Sequence, residues 1–247
     1  MVDDPLIQAS FEELTHILRW VDDRVGPDVS GPNIVLIGGW AVYAYNPYFG
    51  SLDIDLVTSS RIRGSLMQHL RDERGYRKVA DDQLAFRGVL LHIPAVGDIK
   101  IDFATFEFKD LFEGVDRSLH YLVFKERARW ETVGDVRLAL PDRGVLLLSK
   151  LKAAWDRRRR LEDGRSTDPS WEEGKLVKDL ADILALIDPE RGGDEIDLVF
   201  IRRSLLDLGF LVDILEMAGS DEAGAERYGV DLERAGEIVG QLMELTL

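Results

Sequence analysis

Asp53 and Asp55 stand either side of Ile54 in the stretch IVLIGGWAVYAYNPYFGSLDIDL, Ile34 to Leu56. Thirteen residues separate Asp53 from the pair Gly38-Gly39 that closes the apolar run before it. In a strand, residues two apart point to the same face, so SLDIDL presents both carboxylates together and turns Ile54 and Leu56 the other way. Two like charges so placed repel, and are costly unless water or a cation offsets them. A Gly-Gly turn ahead of a helix lets phosphate oxygens approach backbone N–H groups. A cation site and a phosphate cradle at this spacing suggest metal-assisted chemistry on a nucleotide.

The elements that must position these residues follow from local pattern. Ile34–Ile37 is a continuous apolar run of strand length, Gly39–Tyr45 makes two helical turns, and Asn46-Pro47 stops them. Tyr48-Phe49-Gly50-Ser51 leads into the strand carrying Asp53 and Asp55. Upstream, Ser10-Phe11-Glu12-Glu13 reads as a capping box opening a helix with Phe11, Leu14, Leu18, Val21 and Val25 on its apolar stripe. A turn-rich loop, Val25–Pro32, follows it. Downstream, Thr58–Ser60 offers caps for a helix over Ile62–Glu73. Leu84–Ile93 and Ile99–Phe106 read as a hairpin around Pro94–Asp98. In IKIDFATF, Ile99, Ile101 and Phe103 share one face, and Lys100, Asp102 and Ala104 the other. Tyr121–Phe124 and Val136–Leu140 read as short strands.

Past Pro141 the pattern turns helical. Leu146, Leu147, Leu151 and Ala154 recur at helical spacing to about Arg160. Ser170-Trp171-Glu172-Glu173 reads as a second capping box, opening a helix that Pro189 ends. Helical segments are predicted over Asp194–Ala218 and Asp231–Leu245. The fold class is therefore α+β: a mixed, mostly antiparallel sheet flanked by helices, then a C-terminal helical region. The boundary falls near Pro141, giving domains 1–141 and 142–247.

Composition narrows the function. Hydrophobic residues make up 45% and charged residues 31% of the 247, enough for a core and a hydrated surface. No apolar run approaches the ~20 residues of a membrane span. The opening MVDDPLIQAS is acidic, with no apolar signal core, so a cytoplasmic location is expected. The absence of Cys excludes thiolate metal sites and thiol nucleophiles. His16, His69, His92 and His120 show no ligand spacing and read as structural. The net charge of −15 repels nucleic acid except at a local basic patch. Arg157–Arg160 is the dense basic run; its simplest reading is a solvated helix end, and as the dense positive patch of an acidic chain it could instead receive an RNA acceptor end.

Gly38-Gly39, thirteen residues, then Asp53-Ile54-Asp55-Leu56 resembles the signature of the polymerase-beta-like nucleotidyltransferase superfamily. That resemblance implies Mg2+ or Mn2+ held by Asp53 and Asp55, an NTP substrate near Gly38 and Gly39, and a third carboxylate on a later strand. Asp102 in IKIDF matches that strand, with Asp98 the weaker candidate. Leu147-Leu148-Ser149-Lys150-Leu151-Lys152-Ala153-Ala154, then Arg157, then Lys178-Asp179-Leu180-Ala181-Asp182-Ile183 is similar to a pattern of the AbiE-type (AbiEii) toxins of toxin–antitoxin systems. Carried over, Lys150 contacts the nucleotide phosphates, with Ser51, Arg157 and Asp179 in the same cleft. Gly50 stands where those relatives carry Arg. The resemblance implies NMP transfer to an acceptor such as RNA or a tRNA end, and an antitoxin protein as partner.

Other readings of the same residues remain. The GGWA opening also resembles small-molecule nucleotidyltransferases that modify aminoglycoside or lincosamide antibiotics. A non-catalytic nucleotide-binding module would keep the fold without the chemistry. Lys178 and Asp182 could form a plain i,i+4 surface pair.

Overall fold

The structure is a computed structural model that describes residues 4–26, 31–79, 87–133 and 136–246. Pro27 of the first loop and Leu84–Phe86 of the expected hairpin lie outside the described residues. The chain forms two compact units, Met1–Lys109 with His120–Asp142, and Asp110–Leu119 with Arg143–Leu247.

The first unit opens with helix α1, Pro5–Val25. It starts before the expected Ser10 because Asp4 caps it, accepting from Leu6 N at 2.8 Å, with Pro5 preset in the first turn. Ser10 is instead buried, and its Oγ accepts from Trp40 Nε1 at 3.0 Å. Glu13, the other half of the expected box, is buried and accepts from Tyr76 Oη at 2.9 Å and from Arg74. Strand β1, Ile34–Ile37, is buried throughout. Helix α2, Gly38–Tyr45, ends at Asn46. Strand β2 is Ile54–Thr58 and helix α3 is Ser60–Arg74, capped by Ser59 and closed by left-handed Gly75.

Strands β3, Arg77–Lys78, β4, Arg87–Ile93, and β5, Gly97–Thr105, complete a five-stranded sheet of order β1-β2-β5-β4-β3. All neighbours are antiparallel except β2 and β5, which run parallel. Ile54, Leu56, Ile99, Ile101 and Phe103 are all buried, as alternation predicts for the core-facing side. Helices α1 and α3 pack on each other and on β5.

Strands β6, Lys109–Leu111, and β7, Ser118–His120, lead to helix α4, Leu122–Glu126. The expected strand Tyr121–Phe124 is therefore a helical turn, burying Tyr121 and Phe124 at i,i+3 spacing. Strand β8, Ala128–Val133, pairs antiparallel with β9, Val136–Pro141. The sequence does not announce β8, because ARWETV lacks a buried alternating face.

The second unit is helical: α5 Arg143–Glu162, α6 Pro169–Ile187, α7 Leu198–Asp207, α8 Val212–Ser220, α9 Glu222–Tyr228 and α10 Leu232–Thr246. Asp168, not Ser170, caps α6, accepting from Trp171 N at 3.1 Å with Pro169 in the first turn. The segment expected as one helix over Asp194–Ala218 is broken, with α7 ending at Asp207 and a short 3-10 turn at Gly209–Leu211 before α8. The strap Asp110–Leu119 docks on α5. Asp156 Oδ1 accepts from Glu113 N at 2.8 Å, Trp155 Nε1 donates to Glu113 O at 3.0 Å, and Phe112 meets Phe210 edge-on.

Candidate active site

Parallel pairing sets Asp55 of β2 directly opposite Asp102 of β5. Side chains at paired positions of neighbouring strands share a face. The alternate residues Ile54, Leu56, Ile101 and Phe103 occupy the core side, so both carboxylates point away from it and are partly exposed. Asp53 lies in a bend just ahead of β2 rather than on the strand. Its orientation is therefore set by the loop and not by strand alternation.

Each paired carboxylate has a glycine beneath it. Gly38 has φ of 69°, and a Cβ there would overlap the Asp55 carboxylate, with Asp55 Cγ at 2.7 Å. Left-handed backbone and the missing side chain are both required at this position. Gly88 of β4 is the register partner of Asp102, and a Cβ there would lie 2.7 Å from Asp102 Oδ1. Gly38 thus gives Asp55 its space at the point where α2 begins, and Gly39 is buried in the first turn of that helix.

Lys100 stands two residues before Asp102 on the same face of β5. Its Nζ is 3.0 Å from Asp102 Oδ2, with both side chains partly buried. Burial works against the ammonium, but the Asp102 carboxylate, then the fields of Asp53 and Asp55, outweigh it and raise its pKa. The four charges form one electrostatic cluster. Lys100 and Gly88 are the members that motif reading passes over. The available signal was the spacing in IKID, where Lys100 and Asp102 necessarily share a face.

Ser51 is buried beside the cluster's loop. Gly50 is packed tightly, since a Cβ there would lie 2.5 Å from Ile7 Cγ2 and 3.6 Å from Trp40 Cη2. A larger side chain at Gly50 would have to displace the Ile7 side chain.

Among the described residues, no three His, Asp or Glu side chains form a group that would hold a metal ion. The Asp55–Asp102 pair still fits Mg2+, which is bound through one or two carboxylates and completes its shell with water and substrate phosphate. The donors are hard oxygens, the glycines leave the carboxylates room, and the Lys100 ammonium already stands at the pair as a cation.

The remaining predicted site residues lie in the helical unit. Lys150 is buried, with Nζ 3.0 Å from Asp179 Oδ1 and 2.6 Å from Asp182 Oδ2. Arg157 Nε donates to Asp179 Oδ2 at 2.9 Å, and Arg157 Nη1 to Glu172 Oε1 at 2.9 Å. Burial alone would raise the Asp179 carboxyl, but Lys150 and then Arg157 overcome it and hold it far below the ordinary range. Asp182 is lowered against its burial chiefly by Lys150 and then Lys178. Burial opposes the Lys150 charge too, and Asp179 and Asp182 reverse the balance and raise its pKa. Lys178 and Asp182 do pair at 3.0 Å, but in the interior, with the Asp182 side chain only 3% exposed.

The Arg157–Arg160 run is internally neutralised. Arg158 pairs with Glu162, Arg159 with Glu162 and Asp163, and Arg160 with Glu172 and Glu113. His16 and His69 stack between α1 and α3 with Nε2 atoms 3.0 Å apart, and His92 pairs with Asp98. No helix among the described residues is long and apolar enough to cross a membrane.

No family model matches the chain, and no curated protein matches it. Among solved structures, it is similar to an antigenic nucleotidyltransferase-like protein from Paracoccidioides brasiliensis. The two are 14% identical, with a TM-score of 0.40, over 72% of this chain and 76% of that one.

Proposed function

We propose that the sheet-containing unit is a divalent-cation-dependent nucleotidyltransferase, moving a nucleoside monophosphate from an NTP to an acceptor hydroxyl. The observation that carries this reading is the register pairing of Asp55 with Asp102, each with a glycine beneath it. Bound there, Mg2+ or Mn2+ would polarise phosphate oxygens and offset charge on the leaving pyrophosphate. Asp55 and Asp102 would hold it, with water and substrate phosphate completing its shell, and Asp53 stands in the bend just ahead of β2. In the transfer, the acceptor oxygen bonds to the α-phosphorus, the bond to the β-phosphate bridging oxygen breaks, and pyrophosphate leaves. The acceptor proton passes to a carboxylate of the cluster. The N-terminal turn of α2 at Gly38-Gly39 is where triphosphate oxygens would come close to backbone N–H groups.

Lys150 and Asp179 receive a different assignment. Their charges are engaged with each other and with Asp182 and Arg157, so we read them as the electrostatic centre of the helical unit. We assign the acceptor to the small-molecule class rather than RNA. The dense basic run of the sequence is neutralised by its own carboxylates, and the chain carries a net charge of −15.

The test is incubation of the protein with each α-labelled NTP and Mg2+, against total RNA, protein and small-molecule fractions. Label is expected in an acceptor fraction, with transfer falling at least ~100-fold in Asp55→Ala and Asp102→Ala, the scale of losing an electrostatic stabiliser of the transition state. Absence of transfer with every NTP overturns the enzymatic reading. Label in RNA alone overturns the choice of acceptor.

A further inference from the structure

We infer that Lys100 is the resident counter-ion of the carboxylate cluster, and that it occupies Asp102 until a divalent cation displaces it. The inference rests on the metal-site reading above and adds a residue to it. The geometry has two parts. Lys100 Nζ lies 3.0 Å from Asp102 Oδ2 on the face that also carries Asp55. Gly88, opposite Asp102 on β4, clears the space in which ammonium and carboxylate lie side by side: a Cβ there would be 2.7 Å from Asp102 Oδ1 and 3.4 Å from Lys100 Cε.

Asp55 and Asp102 carry two negative charges against one ammonium, and a single divalent cation would match the pair. Without metal, Lys100 relieves the mutual repulsion of the cluster and holds Asp102 in place. With metal, both cations contend for Asp102 Oδ2, and the flexible lysine stem lets the ammonium yield. Displaced from Asp102, the ammonium stays tethered to β5 beside the site.

Mn2+ binding to the full-length protein, followed by the loss of free Mn2+ signal in electron paramagnetic resonance, tests this without reference to activity. Lys100→Met removes the competing charge and is expected to tighten Mn2+ binding at least about tenfold, the scale of a unit charge acting on a divalent ion a few ångströms away even with the screening of bulk water. Lys100→Arg keeps the charge and is expected to bind as the parent does. Melting in EDTA is expected to fall for Lys100→Met and to recover on adding Mn2+. Unchanged or weaker Mn2+ binding in a folded Lys100→Met variant overturns the role of Lys100. If the parent's Mn2+ binding is still abolished by Asp55→Ala, the metal-site reading stands without it. Absence of Mn2+ binding in both parent and Lys100→Met overturns the two together.

Discussion

Lys150 Nζ and Asp182 Oδ2 lie 2.6 Å apart in the interior of the helical unit, with less than a tenth of either side chain exposed. Asp179 and Arg157 extend this pair, and Glu172 joins Arg157 to Arg160. Buried charges of this kind are tolerated because each is matched. Removing one partner leaves the others uncompensated.

Lys150→Met is therefore expected to destabilise the protein by about 3–5 kcal/mol, the usual cost of stranding a buried charge. Urea unfolding at neutral pH measures it. A loss within experimental error of zero would show that the network contributes no net stability.

Acid should act on the same network. Asp179 and Asp182 titrate lower in the folded chain than in the unfolded one, where a carboxyl of this type lies near ~3.9. Their stabilising contribution is whole above that value and is lost as pH falls toward the depressed folded values. Lys150 is raised, so its contribution is whole below the ordinary lysine range and is lost only as pH climbs past it. The difference between parent and Lys150→Met is expected to be largest near neutrality and to shrink by pH 3. A difference that is flat across that window contradicts the coupling.

Gly38→Ala meets two obstacles, a backbone φ of 69° and the Asp55 carboxylate in the space of the new methyl group. The backbone alone costs about 1–3 kcal/mol. Because relief requires moving Asp55, Mn2+ affinity is expected to fall together with thermal stability. A variant that melts early but binds Mn2+ normally would separate the turn from the carboxylate.

Gly50→Arg is expected not to add a phosphate contact but to destabilise, because Ile7 of α1 fills the site. Overpacking of this kind costs about 1–3 kcal/mol or more. Calorimetry decides the matter: an unchanged or higher melting temperature would mean that α1 accommodates the side chain.

What the sequence makes legible here is local. The run IVLI, the glycine pair and Asn46-Pro47 define β1 and α2 because strand length, backbone freedom and the proline restriction all act within a few residues. The Asp55–Asp102 register is different. It joins residues from separate strands through a parallel pairing that no short-range pattern encodes. The expected placement of Asp53 and Asp55 on one strand missed the bend at Asp53, since DID reads the same whether the strand starts before or after Asp53. In the helical unit, Lys178 and Asp182 were visible as an i,i+4 pair, yet Asp182 also meets Lys150 from another helix, which spacing along one helix cannot reveal. The caps went astray for one reason in both helices: an Asp-Pro dipeptide just upstream outcompetes a Ser-x-x-Glu match.

The strap Asp110–Leu119 carries a consequence for how the chain is made. It belongs to the helical unit but precedes residues of the sheet-containing unit, so the backbone passes from one unit to the other three times. During synthesis the strap emerges before its partners: Asp156, which accepts from Glu113 N, follows 43 residues later, and Phe210, the ring partner of Phe112, later still. Vectorial folding can therefore complete the sheet-containing unit at Asp142 only with the strap still undocked, waiting for α5. A gene cut at Asp142 would yield a sheet fragment carrying an orphaned strap with an uncovered Phe112, and a helical fragment with the strap's bed on α5 laid bare. Splitting this protein at its apparent seam would leave the sheet-containing unit whole but burdened with the strap, and the helical unit without it, whereas co-expressing the two fragments offers the strap its bed on α5.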